Sequence, residues 1–188
     1  MIPCVILCGG KSSRMGRDKA LLPFPLEPLA IYMSKKLSPF FSKVYLSLKD
    51  PAPFALYDPL VIVEGGEEFA PMIGIREAFA KIESEKIFFI SVDTPFVTQE
   101  VIDSLLLAES QGITYAKDTQ KEHYLCGIYS KAVVPKLEEM IEKKDYKMSS
   151  FVHSLPHHSI VFDDPCVFAN LNTPEQYAQA LQRIEQDG

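Results

Sequence analysis

Four short apolar runs, at residues 2–8, 44–48, 60–63 and 87–92, do most to limit what this chain can fold into. They are rich in β-branched or aromatic side chains and lack the apolar–polar alternation of a strand wetted on one face. Such runs read as strands covered on both faces. Between them lie segments with helical spacing: Leu29, Met33 and Leu37, then Ile75, Phe79 and Ile82, and later Val101 with Leu105. Strands alternating with helices predict an α/β unit with a Rossmann-like, mostly parallel sheet between two helical layers.

The second half is less regular. Candidate strands at 113–116 and 124–129 are separated by a polar turn at 117–123, and a helix is expected around 132–143, so the sheet should be mixed there. Near the end, Thr173 as N-cap, Pro174 at the first helical position and Gln176 closing a capping box predict a helix with Tyr177, Leu181 and Ile184 on one face. Neither an internal repeat nor a long linker divides the 188 residues, so one domain spanning 1–188 is expected; at this size about 70% of the unfolded surface is buried.

A net charge of −6 argues against a broad nucleic-acid footprint, so any anion site must be a local concentration of cations. The amino end carries no basic leader, and its apolar run is too short to span a membrane, which points to a cytoplasmic protein. Cys4, Cys8, Cys126 and Cys166 lack zinc-ligand spacing and read as reduced, buried cysteines that behave as small hydrophobes.

The first strand ends in a local concentration of that kind. Lys11, Arg14, Arg17 and Lys19, four of the 19 basic residues, fall within nine positions, where an even spread would place about one. Gly9 and Gly10 let the backbone turn sharply and offer successive N–H groups to an anion, while Ser12 and Ser13 add hydroxyl donors. Fixed amides, an arginine fork and a lysine point charge together suit a polyphosphate. The glycine spacing fits neither the P-loop nor the dinucleotide-binding pattern.

The stretch Leu7-Cys-Gly-Gly-x-Ser-x-Arg-Met-Gly-x-Asp-Lys-Ala-Leu-Leu22 closely resembles the signature of nucleotidyltransferases with a nucleoside-diphospho-sugar transferase fold, in particular the molybdenum cofactor guanylyltransferases. Ser91-Val-Asp-Thr-Pro-Phe96 looks like that family's metal-binding motif, and Phe168-Ala-Asn-Leu-Asn-Thr-Pro-Glu175 like its carboxy-terminal motif. The resemblance implies transfer of GMP from GTP to the phosphate of molybdenum-loaded molybdopterin, with pyrophosphate as the second product and Mg2+ as cofactor. A phosphate monoester is already an anionic nucleophile, so the enzyme has to align two anions and absorb charge on the leaving group. A related cytidylyltransferase would carry similar motifs, whereas in a nucleotide-binding subunit without catalysis Lys19, Asp93 and Asn172 would be free to drift, yet all three match the pattern. Transient contacts with proteins that deliver molybdopterin or mature molybdoenzymes would follow, and neither nucleic acid nor membrane is implied.

Carried over position by position, the resemblance gives Arg14 and residues 9–13 the outer phosphates and Lys19 the α-phosphate. Lys11 and Arg17 raise the local potential, and Asp18 either touches ligand or orients its cationic neighbours. Asp93, ending a central strand, would hold Mg2+ and nucleotide, with Asn172 as a second oxygen ligand. Leu7 and Cys8 pack near the base, Cys8 standing where alanine is usual; Ser47 replaces a common asparagine and Glu64 a nearby aspartate. The segment Phe69-Ala-Pro-Met-Ile-Gly-Ile75 also departs from the common Gly-Pro-Leu-Ala-Gly. For the acceptor, Lys147, Asn170 and Asn172 are candidates, and His123 stands where it could face the acceptor pocket. His153, His157 and His158 read as surface or turn histidines.

Overall fold

The computed structural model describes residues 1–9, 18–66, 68–108 and 111–187. Seven strands among them form one sheet: β1 (Cys4–Leu7), β2 (Val44–Leu48), β3 (Leu60–Val63), β4 (Lys86–Ser91), β5 (Ile113–Lys117), β6 (Glu122–Ser130) and β7 (His157–Val161), in the order β3-β2-β1-β4-β6-β5-β7. β3, β2, β1 and β4 run parallel, β6 is antiparallel to both β4 and β5, and β7 pairs parallel with β5. The mixed character expected of the second half therefore comes from β6 alone.

Alternation along β1 explains why its sequence is apolar throughout. Cys4 and Ile6 face one core, together with α1 (Leu29–Leu37), α3 (Gln99–Leu107) and α6 (Pro174–Asp187). Val5 and Leu7 face the other, against α2 (Pro71–Lys81), α4 (Val134–Glu142) and α5 (Met148–His153). Two helical layers thus enclose the sheet, as a strand period of two requires when both faces are dry.

β3 departs from its sequence reading: it is an edge strand, where Ile62 is buried but Leu60 and Val63 are nearly half exposed. A run of four apolar residues cannot reveal which strand stands last. The predicted polar turn at 117–123 also shortens, since Lys117, Glu122 and His123 belong to strand ends and only 118–121 turn. His157 and His158 lie in β7, and His153 in α5, both elements without a clear period in the sequence.

Candidate active site

The carboxyl ends of the central strands place the first set of candidates side by side. Leu7 is in register with Ser47 on β2 and with Ser91 on β4. The backbone continues this pairing beyond the strands: Cys8 N–H donates to Ser47 O at 2.9 Å, Val92 N–H to Leu7 O at 3.1 Å, and Glu64 N–H to Leu48 O at 2.9 Å. One crevice edge therefore carries Cys8, Glu64 and the approach to Asp93, where open α/β sheets bind ligands.

At one end of this edge, Ser47 Oγ donates to Glu64 Oε1 at 2.8 Å, and both side chains are buried. Burial pushes the Glu64 carboxyl up; the Ser47 hydroxyl and the cations of Lys49 and Lys81 pull the other way without cancelling it. Two glycines make room for this carboxylate. A Cβ at Gly9 would come within 2.9 Å of Glu64 Oε2, and one at Gly74 would meet Leu7 Cδ2 at 2.7 Å, with Glu64 Oε1 and Ser47 Oγ at 2.9 Å. The sequence marks Gly74 only as part of the segment 69–75, although a glycine inside an otherwise helical segment signals close packing. Cys8 is buried beside these groups; desolvation first, then the nearby Asp18 and Glu64 charges, pushes its thiol well up, so it stays a neutral small hydrophobe. Cys4 and Cys126 are buried as expected, but Cys166 is exposed, because it sits in the short surface helix Pro165–Phe168 whose Val167 and Phe168 take the inward positions.

Separated by 74 residues or more in sequence, three further candidates meet at the other end. Lys19 Nζ donates to Asp93 Oδ2 at 3.0 Å and to Asn172 Oδ1 at 2.5 Å. The Lys19 and Asp93 side chains are each 16% exposed, so the pair is partly dry yet reachable from solvent. Local chemistry fixes each member. Asp18 caps the short 3-10 helix Lys19–Leu21 by accepting from Ala20 N–H at 3.0 Å, which favours its orienting role over ligand contact. Asp93 follows β4, and its carbonyl accepts from Leu171 N–H at 2.9 Å, tying the carboxy-terminal motif to the strand end. Asn172 is held by Gln176, whose Oε1 accepts from Asn172 N–H at 2.9 Å and Thr173 N–H at 3.2 Å, while Gln176 N–H donates to Thr173 Oγ1 at 3.3 Å. The expected capping box thus also positions a site residue.

Beside Asp93 opens a cavity of about 280 Å3, with Ser91, Lys121, His123, Tyr124 and Met148 among its lining residues and Asn170 at its side. It owes its shape to an irregularity in β6. Tyr115 pairs with Gly127 but the next residue, Ala116, pairs with His123, so residues 124–126 bulge away from β5. At Gly127 a Cβ would lie 2.3 Å from Thr114 O, so only glycine allows this approach. Lys147 is exposed as the N-cap of α5, next to Met148, which does line the cavity. Lys121, Glu122 and Met148 escaped sequence reasoning, because a polar turn and a lone methionine carry no motif. Gly10, Lys11, Ser12, Ser13, Arg14 and Arg17 lie outside the described residues.

Residues 4–159 match the MobA-like NTP transferase domain. The chain belongs to this nucleotidyltransferase family. It is 34% identical to a molybdenum cofactor guanylyltransferase of Helicobacter pylori strain J99, over 98% of this chain and 90% of that protein. A Campylobacter jejuni protein of the same name is 30% identical, over 97% and 96% of the two chains. Among solved structures, molybdopterin-guanine dinucleotide biosynthesis protein A from Archaeoglobus fulgidus superposes with a TM-score of 0.84 at 21% identity, covering 98% of this chain and all of the other, and bears out the fold. Among the described residues, no helix is long and apolar enough to cross a membrane.

Proposed function

We propose that the protein transfers GMP from GTP to the terminal phosphate of molybdenum-loaded molybdopterin. An acceptor phosphate oxygen attacks the α-phosphorus, the bond from that phosphorus to the bridging oxygen of the β-phosphate breaks, and pyrophosphate leaves with the electron pair. The observation that carries this reading is the meeting of Lys19, Asp93 and Asn172 from three separate motifs between a buried carboxylate and an open cavity.

The role of each group follows from its place. Glu64, steadied by Ser47, offers two adjacent oxygens, which suit the N1–H and 2-amino donors of guanine; cytosine presents one such donor beside acceptors. Residues 9–13, with Arg14, would hold the outer phosphates, as their composition favours. Lys19 would place its charge on the α-phosphate, where negative charge develops. The cavity beside Asp93 would take the acceptor, with Asn170 at its wall and Lys147 near its rim.

Asp93 and Asn172 direct their oxygens at one cation, the Lys19 ammonium, so the pair fits a hard divalent ion as well. Mg2+ held by Asp93 and Asn172 would neutralise triphosphate charge. Incubation with GTP or CTP, Mg2+ and molybdenum-loaded molybdopterin, followed by pyrophosphate measurement, tests the proposal. Release with GTP is expected; release with CTP alone would reassign the base, and GTP binding without release under any acceptor would make this a binding subunit.

A further inference from the structure

Two residues that line the cavity beside Asp93, Asn170 and His123, each carry a hydrogen-bond acceptor. Asn170 Oδ1 is buried and has no hydrogen-bond partner among the described residues, an arrangement that is costly unless water or a ligand supplies the donor. The second acceptor is a nitrogen of His123, fixed as such by Asp118. Asp118 Oδ1 accepts from the Gln120 and Lys121 amides at 2.6 and 2.7 Å, and its Oδ2 lies 2.7 Å from His123 Nε2.

Charge and tautomer follow from these contacts. Burial pushes the Asp118 carboxyl up, but the His123 bond and the two amides outweigh it and hold the group below the usual carboxylate range, so it is ionised and can only accept. Nε2 must therefore carry the proton. Burial lowers the His123 pKa against the opposing pull of Asp118, which keeps the ring neutral near pH 7 and makes Nδ1 a bare lone pair. The ring lies flat on Phe168, with centroids 4.2 Å apart and planes 19° from parallel, so its orientation is set as well. Phe168 and Asn170 belong to one short segment, and Tyr124 and Met148 add apolar walls.

We propose that His123, held in one tautomer by Asp118, joins Asn170 in recognising N–H donors on the heterocycle of the acceptor, leaving the Asp93 end of the cavity to the reacting phosphate. The proposal rests on the molybdopterin reading above, since the planar pyrimidinone ring of a pterin bears a lactam N–H and an exocyclic amine. It makes His123 and Asp118 positioning and specificity groups with no part in the phosphoryl chemistry. His123 donates to Asp118, so an amide in place of the carboxylate can present N–H to Nε2 and drive the proton to Nδ1, turning the acceptor into a donor.

Asp118→Asn tests this with little change of shape, and His123→Gln, which keeps a donor toward Asp118, gives a second variant if the first folds poorly. Equilibrium dialysis with molybdenum-loaded molybdopterin and separately with GTP, alongside steady-state pyrophosphate release, gives the readouts. Expected for either folded variant is an acceptor Kd and KM raised tenfold or more, with GTP affinity and kcat at saturating acceptor within about threefold of the parent. Equal loss of acceptor and GTP affinity, or unchanged acceptor affinity, would overturn the proposal. Because dialysis needs no turnover, a parent protein that binds acceptor but releases no pyrophosphate refutes the function alone; one that does not bind the acceptor refutes both.

Discussion

Replacing Lys19 by methionine removes a cation from the point where three motifs meet while keeping the length of the side chain. In the free protein it deletes two hydrogen bonds, to Asp93 Oδ2 at 3.0 Å and to Asn172 Oδ1 at 2.5 Å. Hydrogen bonds to charged groups contribute about 1.5–3 kcal/mol each, but Asp93 and Asn172 can recover water once the ammonium is gone. A net loss of about 1–3 kcal/mol follows, which for a chain of this size lowers Tm by about 2–12 °C. Catalysis should suffer more. Removing one preorganised group from developing charge typically lowers kcat by about 10²–10³. GTP affinity should fall by less than about tenfold, because the other phosphate contacts and the base contacts remain. Thermal denaturation, GTP titration and single-turnover pyrophosphate release measure the three quantities on one preparation. A kcat within tenfold of the parent, or a loss of GTP affinity as large as the loss of turnover, would refute the placement of Lys19 at the reacting phosphorus.

Two further outcomes follow from the base end of the site. Gly74→Ala must push a methyl against Leu7, Ser47 and Glu64; overpacking of this kind costs about 1–3 kcal/mol and should also raise the GTP KM, so a Tm and KM equal to the parent's would show that the helix does not bear on Glu64. Glu64 binds its proton more tightly in the fold than in the unfolded chain, so its ionisation opposes folding as pH rises through the raised value, and the base contact is lost as pH falls through it. The kcat/KM for GTP should therefore decline on the acid side at a higher pH than an exposed carboxylate would give. Glu64→Gln should remove that limb, and an unchanged profile would take Glu64 out of base recognition.

Much of the architecture was legible because its physics is local. Both-face burial of the inner strands needs continuous apolar runs, and β1, β2 and β4 have them; α1, α2 and α3 carry helical spacing, and the capping box at Thr173 starts α6. Long motifs likewise disclosed Lys19, Asp93 and Asn172, and the glycines and cations of residues 9–19 stand in one stretch, as a phosphate cradle would need.

What the sequence by itself determined was therefore the class of fold and which residues are candidates for phosphate and metal binding. Only the tertiary structure decided which strands stand at the edge, that Asp18 caps the short helix at Lys19–Leu21, that Gly74 shapes the Glu64 site and that Asp118 lies against His123. The physical reason is the range of the interaction. Caps, periodic burial and glycine turns act over a few residues and mark the chain directly. A 2.5 Å contact between Lys19 and Asn172, or a bulge that opens a cavity in β6, depends on strands brought together from distant parts of the chain, and no short pattern encodes it.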